Sequence, residues 1–119
     1  MSIENVDKSI NYIEFPLTDP GATQHFYHVL FGWEFTNWGP DYISFTGAGV
    51  EGGFNRQSGV TATKPGVLVV LYSTQLEDIC ERIKEIGGQI LQPIYEFPGG
   101  RRFHFADPNG NELAIWSDK

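Results

Sequence analysis

The chain repeats one order of predicted elements at an offset of 56 residues, and this repeat limits the folds available to it. Asp19 and Gln75 stand where the two predicted helices begin, and Gly32 and Gly88 follow their ends. Each half predicts one strand, one helix and three further strands. Because two copies are too few for a propeller or a solenoid, the repeat favours a duplicated βαβββ domain, with a linker at residues 57–65.

Capping residues and apolar spacing predict helices at about 20–31 and 76–86. Asp19 can cap the first helix, and Pro20 suits its first position. Pro108 and Gly110 lie in a segment, residues 107–111, that is typical of a turn. The other segments alternate or are rich in aromatic and β-branched residues, which predicts strands at 9–17, 33–38, 42–45, 51–56, 67–73, 89–92, 102–106 and 112–116.

Charge and cysteine content exclude several classes of function. The chain has 119 residues, with 8 Lys and Arg against 15 Asp and Glu, giving a net charge of −7. This acidic balance argues against nucleic acid and anionic membranes as partners. Cys80 is alone, which excludes an internal disulfide framework and a cysteine-rich zinc site. Residues 1–5 lack a signal-peptide profile. No apolar run approaches the roughly 20 residues that span a bilayer. We therefore expect one soluble, cytoplasmic domain over 1–119.

Four motifs point to a known family. They are Glu14-Phe15-Pro16, Phe26-Tyr27, Leu30-Phe31-Gly32-Trp33-Glu34-Phe35 and Asp107-Pro108-Asn109-Gly110-Asn111. Together they resemble the vicinal oxygen chelate superfamily, which includes glyoxalase I, fosfomycin- and bleomycin-resistance proteins and extradiol dioxygenases. The likeness is greatest to its small glyoxalase-like members. It implies an α+β fold of two tandem βαβββ modules, at about 9–56 and 66–117, forming an open eight-stranded half-barrel cleft.

The resemblance also implies where a divalent metal would be bound. Members of this superfamily hold the metal with His, Gln or Glu, and the matching positions here are Tyr12, Leu68 and Ala114. These residues are poor ligands or none, so we expect no cofactor and no metal at the family's positions. Glu14 and Glu112 share strand faces with Tyr12 and Ala114 by the period of two. A weak divalent site built from these glutamates stays open as an alternative.

Several side chains are candidates for ligand binding. Glu14 is the best catalytic candidate, because a carboxylate buried in an otherwise apolar strand would have a raised pKa. His104 and Arg102 are predicted to share one face of their strand, and an arginine there, on the loop that enters the strand, can clamp a carboxylate or phosphate. The paired histidines of the first helix, His25 and His28, are expected to face solvent. The full predicted set is Tyr12, Glu14, Trp38, Arg102, His104, Glu112 and Trp116.

Three kinds of function remain open from the sequence. The first is a glyoxalase/bleomycin-resistance-like protein that binds a small organic ligand without metal; an acidic protein with tryptophans in its cleft would suit a cationic planar ligand. The second is a metal-dependent lyase, isomerase or dioxygenase that uses Glu14 or Glu112. The third is an interaction module with a vestigial cleft. In each case we expect a homodimer, because a small curled sheet leaves strand edges to cover.

Overall fold

The computed structural model describes residues 5–8, 10–57 and 67–119. The chain divides into two compact units, Met1–Thr61 and Ala62–Lys119. The linker expected at 57–65 lies outside the described residues except for Gln57. Of residues 1–5, which lack a signal-peptide profile, only Asn5 is described. Over the described residues, no helix is both long and apolar enough to cross a membrane.

The described part of the first unit forms one helix and one four-stranded sheet. Its elements are β1 (Tyr12–Pro16), α1 (Pro20–Phe31), β2 (Glu34–Asn37), β3 (Tyr42–Thr46) and β4 (Glu51–Asn55). The strand order is β1-β4-β3-β2, with β1 parallel to β4 and the other pairs antiparallel. This is a βαβββ module.

Capping residues in the sequence set both ends of helix α1. Oδ1 of Asp19 accepts a hydrogen bond from the backbone N–H of Ala22 at 3.0 Å, and Pro20 follows as the first helical residue. Gly32 ends the helix in the left-handed conformation, with φ of 75°. Tyr27 of α1 is fully buried and stacks on Trp33 at 4.7 Å between ring centroids. An aromatic core therefore fixes the helix against one face of the sheet.

The described part of the second unit repeats this arrangement. Its elements are β5 (Val69–Tyr72), α2 (Leu76–Glu85), β6 (Gln89–Phe97), β7 (Gly100–Ala106) and β8 (Glu112–Ser117). The strand order is β5-β8-β7-β6, with β5 parallel to β8. The turn between β7 and β8 is held by the buried Asp107 carboxylate, which accepts from the backbone N–H groups of Asn109 and Asn111 at 2.8 and 2.9 Å. The predicted α+β fold of two βαβββ modules is confirmed.

Strand β6 is longer than the sequence predicts. We expected it to end at Gln92, before Pro93, yet it continues to Phe97. It is an edge strand with two shifts in its pairing with β7, and a proline is tolerated at an edge or a bulge. Strand β7 likewise begins at Gly100, two residues before the predicted start at residue 102, so the loop expected to enter the strand is part of the strand.

Each sheet has one face against its helix, and we call the opposite face the far face. Side chains alternate between the two faces along each strand. Phe103 and Phe105 of β7 are fully buried on the helix side, so Arg102 and His104 lie on the far face. In the first unit Phe15 and Phe54 stack at 5.0 Å on the helix side, which places Tyr12 and Glu14 on the far face.

Candidate functional site

Two tyrosines meet on the far face of the first unit. The hydroxyl groups of Tyr12 and Tyr42 are hydrogen-bonded to each other. They meet above Gly53, where an added Cβ would lie 2.8 Å from Tyr12 Oη and 2.7 Å from Tyr42 Cζ. The absence of a side chain at Gly53 therefore lets the two rings approach across strand β4.

Glu14 lies beside this tyrosine pair. It is exposed, contrary to the expectation of a buried carboxylate, and its Oε1 accepts a hydrogen bond from Nδ2 of Asn55 at 3.3 Å. The pKa of Tyr42 is raised well above its usual range, first by burial and then by the hydrogen bond to Tyr12 and the charge of Glu14. Tyr42 is therefore a neutral phenol at ordinary pH.

Trp38 is the third candidate of the first unit. Its side chain is 66% exposed, and its indole N–H donates a hydrogen bond to Oγ of Ser44 at 2.9 Å. Ser44 pairs with Gly53 across the sheet, as Glu14 does from the other side. Tyr12, Glu14 and Trp38 thus belong to one surface of the first unit.

A chain of four polar side chains crosses the far face of the second unit. Nδ1 of His104 lies 2.7 Å from Oε2 of Glu112, and Nε2 of His104 lies 2.9 Å from the hydroxyl oxygen of Tyr95. Nε of Arg102 donates a hydrogen bond to the same hydroxyl oxygen. Since a carboxylate only accepts, the Glu112 contact places a proton on Nδ1 of His104. With that tautomer, Nε2 of His104 accepts a hydrogen bond from the Tyr95 hydroxyl group.

Aromatic rings surround the Arg102 end of this chain. The guanidinium carbon of Arg102 lies 5.5 Å from the ring centroid of Tyr95 and 5.7 Å from that of Phe97. Trp116 continues the surface, with ring centroids 6.2 Å from Phe97 and 5.2 Å from Tyr72. The second unit therefore presents a cation and flat apolar surfaces side by side, which is the chemistry of a site for a planar organic molecule.

The structure divides the predicted site residues between the two units. Arg102, His104, Glu112 and Trp116 share the far face of the second unit, whereas the other three candidates lie in the first. Tyr95 was not among the predicted residues. The only sequence signal for it was the aromatic and β-branched character of the segment after Pro93, which a strand ending at Gln92 left out.

The remaining histidines and the cysteine have local roles. His25 and His28 are exposed, as expected, and Nδ1 of His28 lies 2.9 Å from the backbone oxygen of Trp33 and 3.1 Å from a Glu34 carboxylate oxygen. Cys80 is buried in α2, and burial raises the pKa of its thiol. A raised pKa disfavours the reactive thiolate.

The three positions that the resemblance assigns to a metal offer few donor atoms. Tyr12 already bonds Tyr42, Ala114 offers only a fully buried methyl group, and Leu68 has no donor atom. His104, on the same far face as Ala114, has both ring nitrogens engaged. Within residues 5–8, 10–57 and 67–119, no group of three or more His, Cys, Asp and Glu side chains is placed to hold a metal.

Comparison with known proteins agrees with the family resemblance of the sequence motifs. A sequence model of the Glyoxalase/Bleomycin resistance protein/Dioxygenase superfamily matches residues 9–115. No curated protein matches the chain at a significant level.

Solved structures with the same fold come from several bacteria. A glyoxalase-related enzyme from Fulvimarina pelagi is 24% identical, with a TM-score of 0.76 over 92% of this chain and 88% of its own. The genomically encoded fosfomycin resistance protein FosX from Listeria monocytogenes is 20% identical, with a TM-score of 0.74 over 94% of both chains. Lactoylglutathione lyase from Agrobacterium tumefaciens is 17% identical, with a TM-score of 0.69 over 95% and 96%.

Proposed function

The chain belongs to the Glyoxalase/Bleomycin resistance protein/Dioxygenase superfamily, and we propose that it binds an organic small molecule without the help of a metal ion. The binding surface is the far face of the second unit, and its contact residues are Tyr72, Tyr95, Phe97, Arg102 and Trp116. His104 and Glu112 support this surface from within the hydrogen-bonded chain.

One observation carries the proposal. The positions that hold metal in the family are filled by Tyr12, Leu68 and Ala114, of which only the first has a donor atom, and that atom is bonded to Tyr42. A hard or borderline divalent ion needs several oxygen or imidazole ligands. Because these positions offer one donor atom, which is already hydrogen-bonded, we infer that the remaining polar and aromatic groups contact an organic ligand directly.

The arrangement around Trp116 supports the location. Flat apolar rings supply most of the area in small-molecule sites, and a few placed polar groups fix the orientation of the ligand. Trp116 and Phe97 supply such rings, and Arg102, which pairs with Trp116 across the strands, supplies the polar group. A second contact surface on the first unit stays a prediction, and its residues are Tyr12, Glu14 and Trp38.

A metal-dependent lyase, isomerase or dioxygenase is the alternative, and it would use Glu14 or Glu112. Glu112 is committed to His104 at 2.7 Å, and Glu14 is exposed with Asn55 as its neighbour. Either glutamate would have to exchange an existing hydrogen bond for a metal and would still need further ligands. This arrangement therefore favours the binding protein over the metalloenzyme.

The test measures ligand binding with and without a chelator. Untagged protein is dialysed against EDTA, its metal content is determined by mass spectrometry, and aromatic small molecules are screened by tryptophan fluorescence. We expect hits that bind equally before and after EDTA and a signal that Trp116→Phe abolishes, whereas the response of Trp38→Phe tests the second predicted contact surface. Binding or turnover that disappears with EDTA and returns with Mn²⁺, Ni²⁺ or Zn²⁺ would replace the proposal with the metalloenzyme.

A further inference from the structure

Two adjacent arginines of strand β7 have opposite surroundings. Arg101 lies on the helix side, where its terminal amino groups donate to the carboxylate of Glu77 and to the backbone oxygen of Lys119. Arg102 lies on the far face and donates only through Nε, to Tyr95. Within the described part of the chain, no hydrogen bond or ion pair joins the two terminal amino groups of Arg102 to another residue.

Aromatic rings and one hydrogen bond hold Arg102 in place, and no carboxylate among the described residues forms an ion pair with it. Its guanidinium lies near the rings of both Tyr95 and Phe97, at 5.5 and 5.7 Å, and the side chain is half-buried. The bond from Nε to the Tyr95 hydroxyl fixes the rotation of the guanidinium, because that hydroxyl is in turn bonded to His104. Much of the side-chain entropy that an arginine loses on binding an anion is therefore already lost in the free protein.

We propose that Arg102 binds the carboxylate of a planar organic acid whose ring system lies against Trp116 and Phe97. The proposal rests on the function proposed above and names the ligand class of the same surface. Two parallel N–H groups of a guanidinium match the two oxygens of a carboxylate, and the resulting pair of charged hydrogen bonds is directional. Trp116 is the cross-strand neighbour of Arg102, so an acid group on the guanidinium brings an attached ring next to the indole.

The net charge of −7 favours a cation at long range, whereas the guanidinium of Arg102 favours an anion in its immediate surroundings. Charges in water are screened beyond about 8 Å at physiological salt, so the groups near the ligand decide what binds. Near Arg102 the Glu112 carboxylate is engaged by His104, and the Asp118 carboxylate accepts from the Tyr72 hydroxyl at 2.6 Å. Both carboxylates keep their charge, so the preference for an acid depends on direct hydrogen bonds to the terminal amino groups of Arg102, which neither carboxylate contacts in the described part of the chain.

The experiment compares three probes that share one ring system. Naphthalene-2-carboxylate, the neutral naphthalene-2-carboxamide and the cationic 2-naphthylmethylammonium are titrated into the full-length protein in EDTA and followed by ligand-observed NMR. We expect the carboxylate to bind about tenfold more tightly than the amide, a difference of about 1.4 kcal/mol, and the ammonium probe to bind more weakly than both.

Three variants separate charge, geometry and folding. Arg102→Gln should remove the preference for the carboxylate while leaving the amide bound, and Arg102→Lys should restore only part of it, since an ammonium cannot form the parallel pair. Arg101→Gln is the matched control and should keep the full preference. Thermal melts confirm that each variant is folded, and Arg102→Lys serves as the test if Arg102→Gln fails to fold.

The outcomes distinguish this inference from the function on which it rests. Equal binding of carboxylate and amide, or a preference that persists in Arg102→Gln, overturns the role of Arg102 and leaves metal-independent binding in place. Tighter binding of the ammonium probe overturns the ligand class in the same way. If none of the three probes binds at millimolar concentration, the proposed binding surface itself is overturned.

Discussion

Nδ1 of His104 lies 2.7 Å from Oε2 of Glu112, and the two side chains are only 7% and 18% exposed. The pair joins strands β7 and β8 on the far face of the second unit and positions the ring for its second bond, to Tyr95. A buried donor that loses its acceptor cannot find water as a substitute. The bond is therefore a structural element as well as part of the proposed surface.

Removing the Glu112 carboxylate should destabilise the protein. We expect Glu112→Ala to lower the free energy of unfolding by about 1–3 kcal/mol, because it leaves Nδ1 of His104 buried without an acceptor. Glu112→Gln, whose amide oxygen still accepts, should cost less. Urea denaturation followed by circular dichroism measures both.

The control for this prediction is a solvent-exposed pair of a glutamate and a histidine. Glu34 contacts His28 at 3.1 Å, but the two side chains are 71% and 60% exposed. Exposed pairs of this kind contribute little to stability, so Glu34→Gln should change the free energy of unfolding by less than about 0.5 kcal/mol. An equal loss in Glu34→Gln and Glu112→Ala would contradict the importance of burial.

Two neighbouring glycines of strand β4 should respond differently to alanine. A Cβ at Gly52 would clash with the backbone oxygen of Ile13, which the sheet holds in place, and with the ring of buried Phe45. A Cβ at Gly53 would meet only the ends of the Tyr12 and Tyr42 side chains, and Tyr12 is 44% exposed.

We therefore expect Gly52→Ala to lower the free energy of unfolding by about 1–3 kcal/mol, in the range of overpacked cores. Gly53→Ala should cost less than about 1 kcal/mol, because side chains rather than backbone move. Chemical denaturation of both variants tests which of them loses more free energy of unfolding. A larger loss in Gly53→Ala would show that the tyrosine pair is rigid.

Tyr42 should make stability depend on alkaline pH. Its pKa in the folded protein is raised from the ordinary value of 10.0, mainly by burial, with the Tyr12 hydrogen bond and Glu14 adding to the effect. The unfolded chain therefore loses this proton at lower pH than the folded protein does. The stabilisation is fully present below pH of about 10 and is lost as the pH rises toward the folded-state pKa.

Urea denaturation between pH 8 and 11 measures this dependence. Tyr72 contributes in the same direction, since its hydrogen bond to Asp118 also raises its pKa, so the comparison is made between the wild type and Tyr42→Phe. We expect the variant to lose less stability above pH 10. In Tyr12→Phe the absorbance titration of Tyr42 at 295 nm should shift to lower pH. Identical pH profiles in all three proteins would contradict this account.

The homodimer expected from the sequence has a candidate surface on strand β5. This edge strand exposes Val70 at 40%, and Val67 just before it is 94% exposed. Edges and apolar surface of this kind are commonly covered by a second copy.

We expect light scattering at micromolar concentration to give twice the chain mass of 13.4 kDa. Val70→Glu should return the mass to that of one chain, because it places a charge in the covered surface. Val29→Glu, at a position that is 38% exposed on α1, is the control and should remain paired. A single-chain mass for the wild type would end the proposal.

The elements and their order follow from local patterns of residues. Asp19 and Gly32 bound the first helix because capping and left-handed glycine act within a few residues. The alternation of side chains along a strand is also a local property, because it depends on that strand alone. It correctly placed Arg102 and His104 on the face opposite to Phe103 and Phe105. The repeat then combined these local signals into two βαβββ modules.

Tertiary structure decided which side chains meet. Tyr12 and Tyr42 come together across β4 because Gly53 leaves room for both, and that pairing joins residues 30 positions apart. Strand β6 runs past Pro93 because it is an edge strand whose pairing with β7 shifts, and this brings Tyr95 to His104 and Arg102. The tyrosine contact depends on the pairing of strands distant in sequence, and the Tyr95 contacts depend on the register shifts between β6 and β7, neither of which a local pattern of residues encodes.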